Sequence, residues 1–180
     1  MKVLGIAGYS GSGKTTLIGK VVPILLREGL RISLVKHAHH DFDVDQPGKD
    51  SFRHRQAGCT QVLVSSMRRW ALMHELRGEA EPPLDDLLRH FSPCDLVLVE
   101  GYKHDPIARI EVHRAGLDCP LLFPGDPYVI AVATDEPLDT TLPQIGLDDA
   151  PAVARFIADF IADVNVGDHR LARSREGTGE

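Results

Sequence analysis

The nine residues Gly8–Thr16, "GYSGSGKTT", follow directly on the short apolar run "KVLGIA" of residues 2–7. Three glycines, one lysine and two threonines leave this segment with much bare backbone and a single fixed positive charge. Gly8, Gly13, Lys14 and Thr15 satisfy G-x-x-x-x-G-K-[ST], a pattern with a physical basis. A ring of backbone N–H groups can curl around an anion only where dihedrals that a Cβ obstructs are available, and glycine makes them available. A helix beginning near Lys14 adds its positive N-terminal end. Lys14 can then reach β- and γ-phosphate oxygens, and the Thr15 hydroxyl can occupy one Mg²⁺ coordination position. Gly11, Ser12 and Thr16 complete the expected cradle. The rival dinucleotide pattern G-x-G-x-x-G fails, because Thr16 stands where its third glycine would be. A bound nucleoside triphosphate is therefore expected.

Outward from this loop, apolar runs and helical spacing alternate. "RISLVKH" (31–37), "DLVLVEG" (95–101) and "YVIAVAT" (128–134) read as buried strands, and "ARIEVHR" (108–114) as a half-exposed one. Helices are expected over 14–28, stopped at Gly29 and bent at Pro23; over 50–58, capped by Asp50 or Ser51; over 82–91; and over 150–164. "TQVLVSS" (60–66) and "WALMHEL" (70–76) flank "MRR" and suggest a hairpin. Together these predict an α/β, three-layer P-loop NTPase fold with a mainly parallel sheet and an antiparallel hairpin extension. Residues 1–166 form the expected nucleotide-binding domain, and 167–180, with no apolar face, a tail. In "DLVLVEG" four apolar residues deliver Glu100 to the C-terminal end of a core strand, where ligands of such sheets collect. Glu100 is expected to serve the metal through water or to orient the nucleophile, with Gly101 permitting close backbone approach.

The totals narrow the class. A chain of 180 residues with formal charge −6 is not built as a general nucleic-acid or anionic-membrane binder. No stretch approaches the ~18 apolar residues of a membrane span, and the run after Met1 is too short for a signal peptide. Cys59, Cys94 and Cys119 are odd in number and form no CxxC pair. Free thiols in a reducing, cytoplasmic compartment are expected.

"KHAHHDFDVDQPGKDS" (36–51) gathers His37, His39, His40, Asp41, Asp43 and Asp45 after the second strand. The histidines lack the paired spacing of a structural zinc site. Beside a phosphate loop, Asp41 or Asp43 would touch the Mg²⁺ shell or position water, and Lys36 and Lys49 would meet phosphates. Arg53 and Arg55 either recognise an anionic second ligand or face water.

Three stretches in combination, "GYSGSGKTTL" (8–17), "VKHAHHDFDVDQPGKDSFRHRQAG" (35–58) and "DLVLVEGYKHDPIARIEVHR" (95–114), resemble the molybdopterin-guanine dinucleotide biosynthesis adapter proteins, the MobB family. The resemblance implies a GTP-binding, homodimeric member of the SIMIBI branch of P-loop NTPases with weak hydrolysis. Its partner would be the MobA-type guanylyltransferase that joins GMP to molybdopterin, and the pterin itself is a further candidate ligand. Carried over by motif, Gly11, Gly13, Lys14, Thr15 and Thr16 would bind triphosphate and Mg²⁺. Asp41 and Glu100 would lie near the metal, and Gly101, Tyr102 and Lys103 would line the same mouth. "WALMHEL" and "ARIEVHR" are the candidate strands for extending the sheet across the dimer. A guanine-reading N-K-x-D is missing; in "VATDEP" (132–137) Asp135 would accept from guanine N1–H and N2–H₂, or merely end a strand before Pro137. Two alternatives stand beside the adapter: a small-molecule kinase of the adenylylsulfate or nucleoside kinase type, and a metal-delivery GTPase.

Overall fold

The computed structural model describes residues 1–38 and 42–163. The chain forms two compact units, one built from Met1–His37 and the chain from Leu88 onward, the other from Ala38–Leu87. Composition along the chain does not announce this division.

The larger unit holds a six-stranded sheet in the order β2-β5-β1-β6-β7-β8. Its strands are β1 (Lys2–Ala7), β2 (Ile32–Lys36), β5 (Leu96–Glu100), β6 (Arg109–Val112), β7 (Val129–Thr134) and β8 (Gln144–Gly146). Every neighbouring pair is parallel. β8 is only three residues long and carries no apolar alternation that would reveal it in the sequence. Two helices, α1 (Lys14–Arg27) and α4 (Ala150–Ala162), pack together over one face. Leu17, Val21 and Leu25 of α1 and Val153, Ile157 and Phe160 of α4 close on Leu4, Ile6, Leu98, Ile110 and Ala131. Burial of this apolar surface at roughly 25 cal/mol per Å² is the main force holding the unit together.

Local signals explain the helix ends. α1 runs through Pro23 and stops as expected at Gly29, whose φ is +85°. Gly29 N–H donates to the Leu26 carbonyl and Leu30 N–H to that of Leu25, a Schellman closure. Asp149 caps α4 by accepting from Ala152 N–H at 2.9 Å.

β6 departs from its expected half-exposed character. It lies between β1 and β7, and all four of its residues are buried. The opposite face of the sheet tolerates Arg109 and Glu111 because backbone groups satisfy them. The Arg109 guanidinium donates to the carbonyls of Ile107, Lys103 and Asp105 and pairs with Asp126 at 3.3 Å. Glu111 accepts from Leu122 N–H and Phe123 N–H at 2.8 and 2.9 Å. Charge alternation signalled solvent, but internal hydrogen bonds replaced it. An interior strand cannot extend the sheet across a dimer, so "ARIEVHR" is withdrawn from that role.

The smaller unit contains α2 (Asp50–Gln56) and the strands β3 (Gln61–Ser65) and β4 (Trp70–His74). A fourth helix, α3 (Leu84–Leu88), runs across the boundary between the units. β3 and β4 pair antiparallel with Gln61 opposite His74 and Ser65 opposite Trp70, forming a sheet of their own. The expected hairpin exists, as a separate two-stranded sheet. Lys49, without a side-chain bond, occupies the N-cap of α2, so neither Asp50 nor Ser51 caps it. Ser51 Oγ instead donates to Asp45 Oδ1. Arg55 organises the unit by binding Asp43, Asp45 and Glu75 at 2.6, 3.3 and 2.7 Å. Its guanidinium is thereby committed internally rather than presented to an anionic ligand.

Candidate phosphate-binding site

β1 ends at Ala7 and α1 begins at Lys14, and the six residues between them form the loop expected from the motif. Gly8, Gly11 and Gly13 all take positive φ, at 144°, 83° and 99°. Gly8 has a second constraint, since a Cβ there would lie 2.4 Å from the Val112 carbonyl oxygen. Gly13 is the N-cap of α1 and offers no side-chain acceptor, so the first N–H groups of the helix are left to an external partner. The Ser12 hydroxyl is buried and has no hydrogen-bond partner among the described residues. A buried hydroxyl without a partner is costly unless a ligand supplies one.

Lys14 turns back on its own loop, donating to the carbonyls of Gly8 at 3.0 Å and Tyr9 at 2.8 Å. Partial burial holds its ammonium below the ordinary lysine value; Glu100 opposes that shift, and Lys103 and Lys36 add to it. Thr15 Oγ1 donates to Glu100 Oε1 at 2.8 Å, and Lys36 Nζ lies 3.6 Å from Glu100 Oε2. Register explains the meeting: Lys36 of β2 and Ile6 of β1 are both paired with Glu100 of β5. Lys103 Nζ sits 4.4 Å from the centre of the Tyr9 ring. Behind Glu100, Gly101 has φ +104° and lies so close to His37 that a Cβ would come within 2.6 Å of that side chain. The His37 and Tyr102 rings are 4.9 Å apart.

The larger unit thus brings together Gly8–Thr16, Lys36, Glu100, Gly101 and Lys103. Asp41, with His39 and His40, lies outside the described residues. Asp43 belongs to the Arg55 cluster, where Asp45 N–H and Arg55 occupy its carboxylate. Asp135 follows β7, and its oxygens face Ala115 N–H at 2.8 Å and Arg114 at 3.4 Å. Arg114 escaped the sequence reading. Nothing in "EVHRAG" marks it, and only the close passage of the segment after β6 beside Gly13 brings it to the loop. Among the described residues no group of three or more histidines, cysteines and carboxylates is arranged to hold a metal. Oxygen donors are nevertheless present, since the Thr15 hydroxyl and the Glu100 carboxylate suit a hard divalent cation shared with phosphate.

Comparison with known proteins bears on the family and the fold. The family model described as MobB, molybdopterin guanine dinucleotide synthesis protein B, matches residues 3–135. The molybdopterin-guanine dinucleotide biosynthesis adapter protein of Escherichia coli strain K12 is 43% identical over 166 residues, covering 91% of this chain and 95% of its own. The adapter protein of the same description from Haemophilus influenzae is 44% identical over 162 residues, covering 88% and 89%. A crystal structure of molybdopterin-guanine biosynthesis protein B superposes with a TM-score of 0.71 at 29% identity, covering 89% of this chain and 99% of that one. A P-loop NTPase sheet, a family model spanning most of the chain and near full-length relatives point the same way: the chain belongs to the MobB family.

Proposed function

We propose that the protein is a GTP-dependent adapter in molybdopterin guanine dinucleotide biosynthesis, acting beside the MobA-type guanylyltransferase that attaches GMP to molybdopterin. The observation that carries the reading is the Thr15–Glu100 contact at 2.8 Å beside a glycine loop holding Lys14. A triphosphate would displace Lys14 from the Gly8 and Tyr9 carbonyls and take its ammonium. Loop N–H groups, the start of α1 and the Ser12 hydroxyl would bind the same oxygens. Thr15 and Glu100 would hold Mg²⁺, with Asp41 as a further candidate; bound Mg²⁺ supplies charge neutralisation between phosphate oxygens. Lys36 and Lys103 enrich the mouth in positive charge. Choice of GTP over ATP draws its support from the family, with Asp135 as the candidate base contact.

Weak rather than rapid hydrolysis fits the commitment of both Glu100 oxygens, one to Thr15 and one to Lys36. A small-molecule kinase would bring an arginine-bearing lid over the phosphates. Here the segment after Glu100 is a loop clamped by buried Arg109 and then an interior strand, which favours the adapter. A metal-delivery role draws no support from the described residues. Homodimer formation through β3–β4 is part of the proposal, because Leu63, Val64, Trp70 and Leu72 are exposed there. No described helix is long and apolar enough to cross a membrane.

The test is a calorimetric titration with GTP, ATP and molybdopterin, with and without Mg²⁺, repeated with the guanylyltransferase present. GTP is expected to bind at least tenfold tighter than ATP and to lose affinity without Mg²⁺, and GTP loading should strengthen association with the transferase. Nucleotide consumption in proportion to an added small acceptor would overturn the adapter in favour of a kinase.

A further inference from the structure

The turn after β6 is tied to the end of β7 by several hydrogen bonds and passes close to the phosphate loop. His113 Nε2 meets Glu136 Oε1 at 2.9 Å, and Ala115 N–H donates to Asp135 Oδ1 at 2.8 Å. His113 N–H donates to the Ala133 carbonyl, and Leu117 N–H closes the turn on the Arg114 carbonyl. Leu117 packs toward Gly11, 3.6 Å from where its Cβ would stand. The outcome is a fixed place for one cation. Arg114 Nη1 faces Asp135 at 3.4 Å, and Nη2 lies 3.4 Å from the position of a Cβ on Gly13, the N-cap of α1, which has no side chain to cap the helix.

This cation stands on the flank opposite the candidate metal end. Thr15 and Glu100 meet on the β5 side of β1, whereas Arg114 and Asp135 follow β6 and β7 on the other side. Lys14, Lys36, Lys103 and Arg114 gather around a loop that also contains the unpartnered buried Ser12 hydroxyl, with Glu100 beside Lys36, Asp135 beside Arg114 and Glu136 turned to His113. Clustered cations of this kind raise the local potential and favour an anion in the loop. A polyphosphate seated in the loop with its metal-bridged end at Thr15–Glu100 must direct its nucleoside end toward β6 and β7.

We propose that Arg114, held by Asp135, is a nucleotide-binding residue that takes the nucleoside-linked phosphate. The inference deepens the nucleotide-binding reading above and rests on it. Asp135, with one oxygen on Ala115 N–H and the other facing Arg114, then serves to orient the guanidinium. A planar guanidinium bridging carboxylate and phosphate is the arrangement in which arginine outperforms lysine.

The experiment compares GTP and GDP binding by the wild-type chain, Arg114→Ala, Arg114→Lys and Asp135→Asn. Arg114→Ala is expected to weaken both nucleotides by a similar factor of about 10 to 100, the scale of one lost charge-assisted contact. Arg114→Lys should restore part of that loss, and Asp135→Asn should cost less than Arg114→Ala while the ligand-free unfolding temperature stays put. A loss confined to GTP would overturn the assignment by moving Arg114 to the terminal phosphate. Unchanged affinity for both in Arg114→Ala would overturn it outright. If Arg114→Ala does not fold, Arg114→Lys decides: wild-type GTP and GDP affinity there would reject the planar bridge. Wild-type protein that binds neither nucleotide would refute the parent reading instead, a distinct result.

Discussion

The two compact units solve stability in opposite ways. In the larger one, three neighbouring strands bury almost every residue, and even Arg109 and Glu111 are internal, satisfied by backbone groups. In the smaller one, Leu84 is the only buried residue among those described, while Phe42, Val44, Leu63, Met67 and Trp70 are exposed. The smaller unit is tied instead by the β3–β4 ladder and by polar clusters, chief among them the Arg55 guanidinium shared among three carboxylates. A rigid apolar core can hold phosphate ligands within tenths of an ångström. A unit with apolar side chains outside and ion pairs inside offers a surface of the kind that the proposed dimer would cover. Under the proposed function, chemistry lies in one unit and association in the other.

Paired substitutions can break this comparison. Leu98→Ala, at a fully buried site in the sheet, should cost about 3 kcal/mol or more in chemical denaturation without changing oligomeric state. Leu63→Ser, at an exposed site on the hairpin, should stay within about 0.5 kcal/mol by the same measure. It should instead shift the sedimentation profile toward monomer. Equal destabilisation by both would erase the distinction between the units.

Lys14→Ala sharpens it from the ligand side. Because the lysine contacts loop carbonyls and no core group, its loss should weaken GTP binding about 100-fold or more, with the ligand-free thermal midpoint unchanged. Wild-type affinity in that variant would remove the phosphate loop from the argument.

The smallest effect concerns acid. The Asp45 N–H and then the Arg55 guanidinium hold the Asp43 carboxyl below its ordinary value of 3.8. A depressed folded value means that the stabilising contribution is complete above pH 3.8 and fades as pH falls through the lowered one. An NMR titration should therefore place Asp43 below 3.8, and Arg55→Gln should raise it only part of the way, since the Asp45 N–H remains. An Asp43 midpoint at or above 3.8 in the wild type would show that the Arg55 cluster does not order the unit.

Most of the nucleotide fold was legible because its signals are local. A strand, a glycine loop and a helix occur in succession at Lys2–Arg27, and "DLVLVEG" has no polar interruption before Glu100. The errors share a cause, which is that pattern reports side-chain polarity and not the partners a side chain will find. Arg109 and Glu111 looked solvated because nothing in the chain advertises the Lys103, Asp105, Leu122 and Phe123 backbone groups that receive them. Arg55 looked available for the same reason. Arg114 carried no signal because its nearness to Gly13 is a tertiary fact, set by the course of the chain after β6.

The tight approach of Gly8 to Val112 has a consequence for reading other sequences of this kind. At 2.4 Å from a carbonyl oxygen, a methyl group at position 8 would wedge the loop off the neighbouring strand whether or not any ligand ever binds. The crowding of Gly101 against His37 imposes the same rule behind Glu100. Descendants that abandon nucleotides should therefore keep both glycines as architectural fossils. Lys14 and Arg114, whose bonds go to loop carbonyls and to Asp135 rather than to the core, are the positions where a change of trade would first be written.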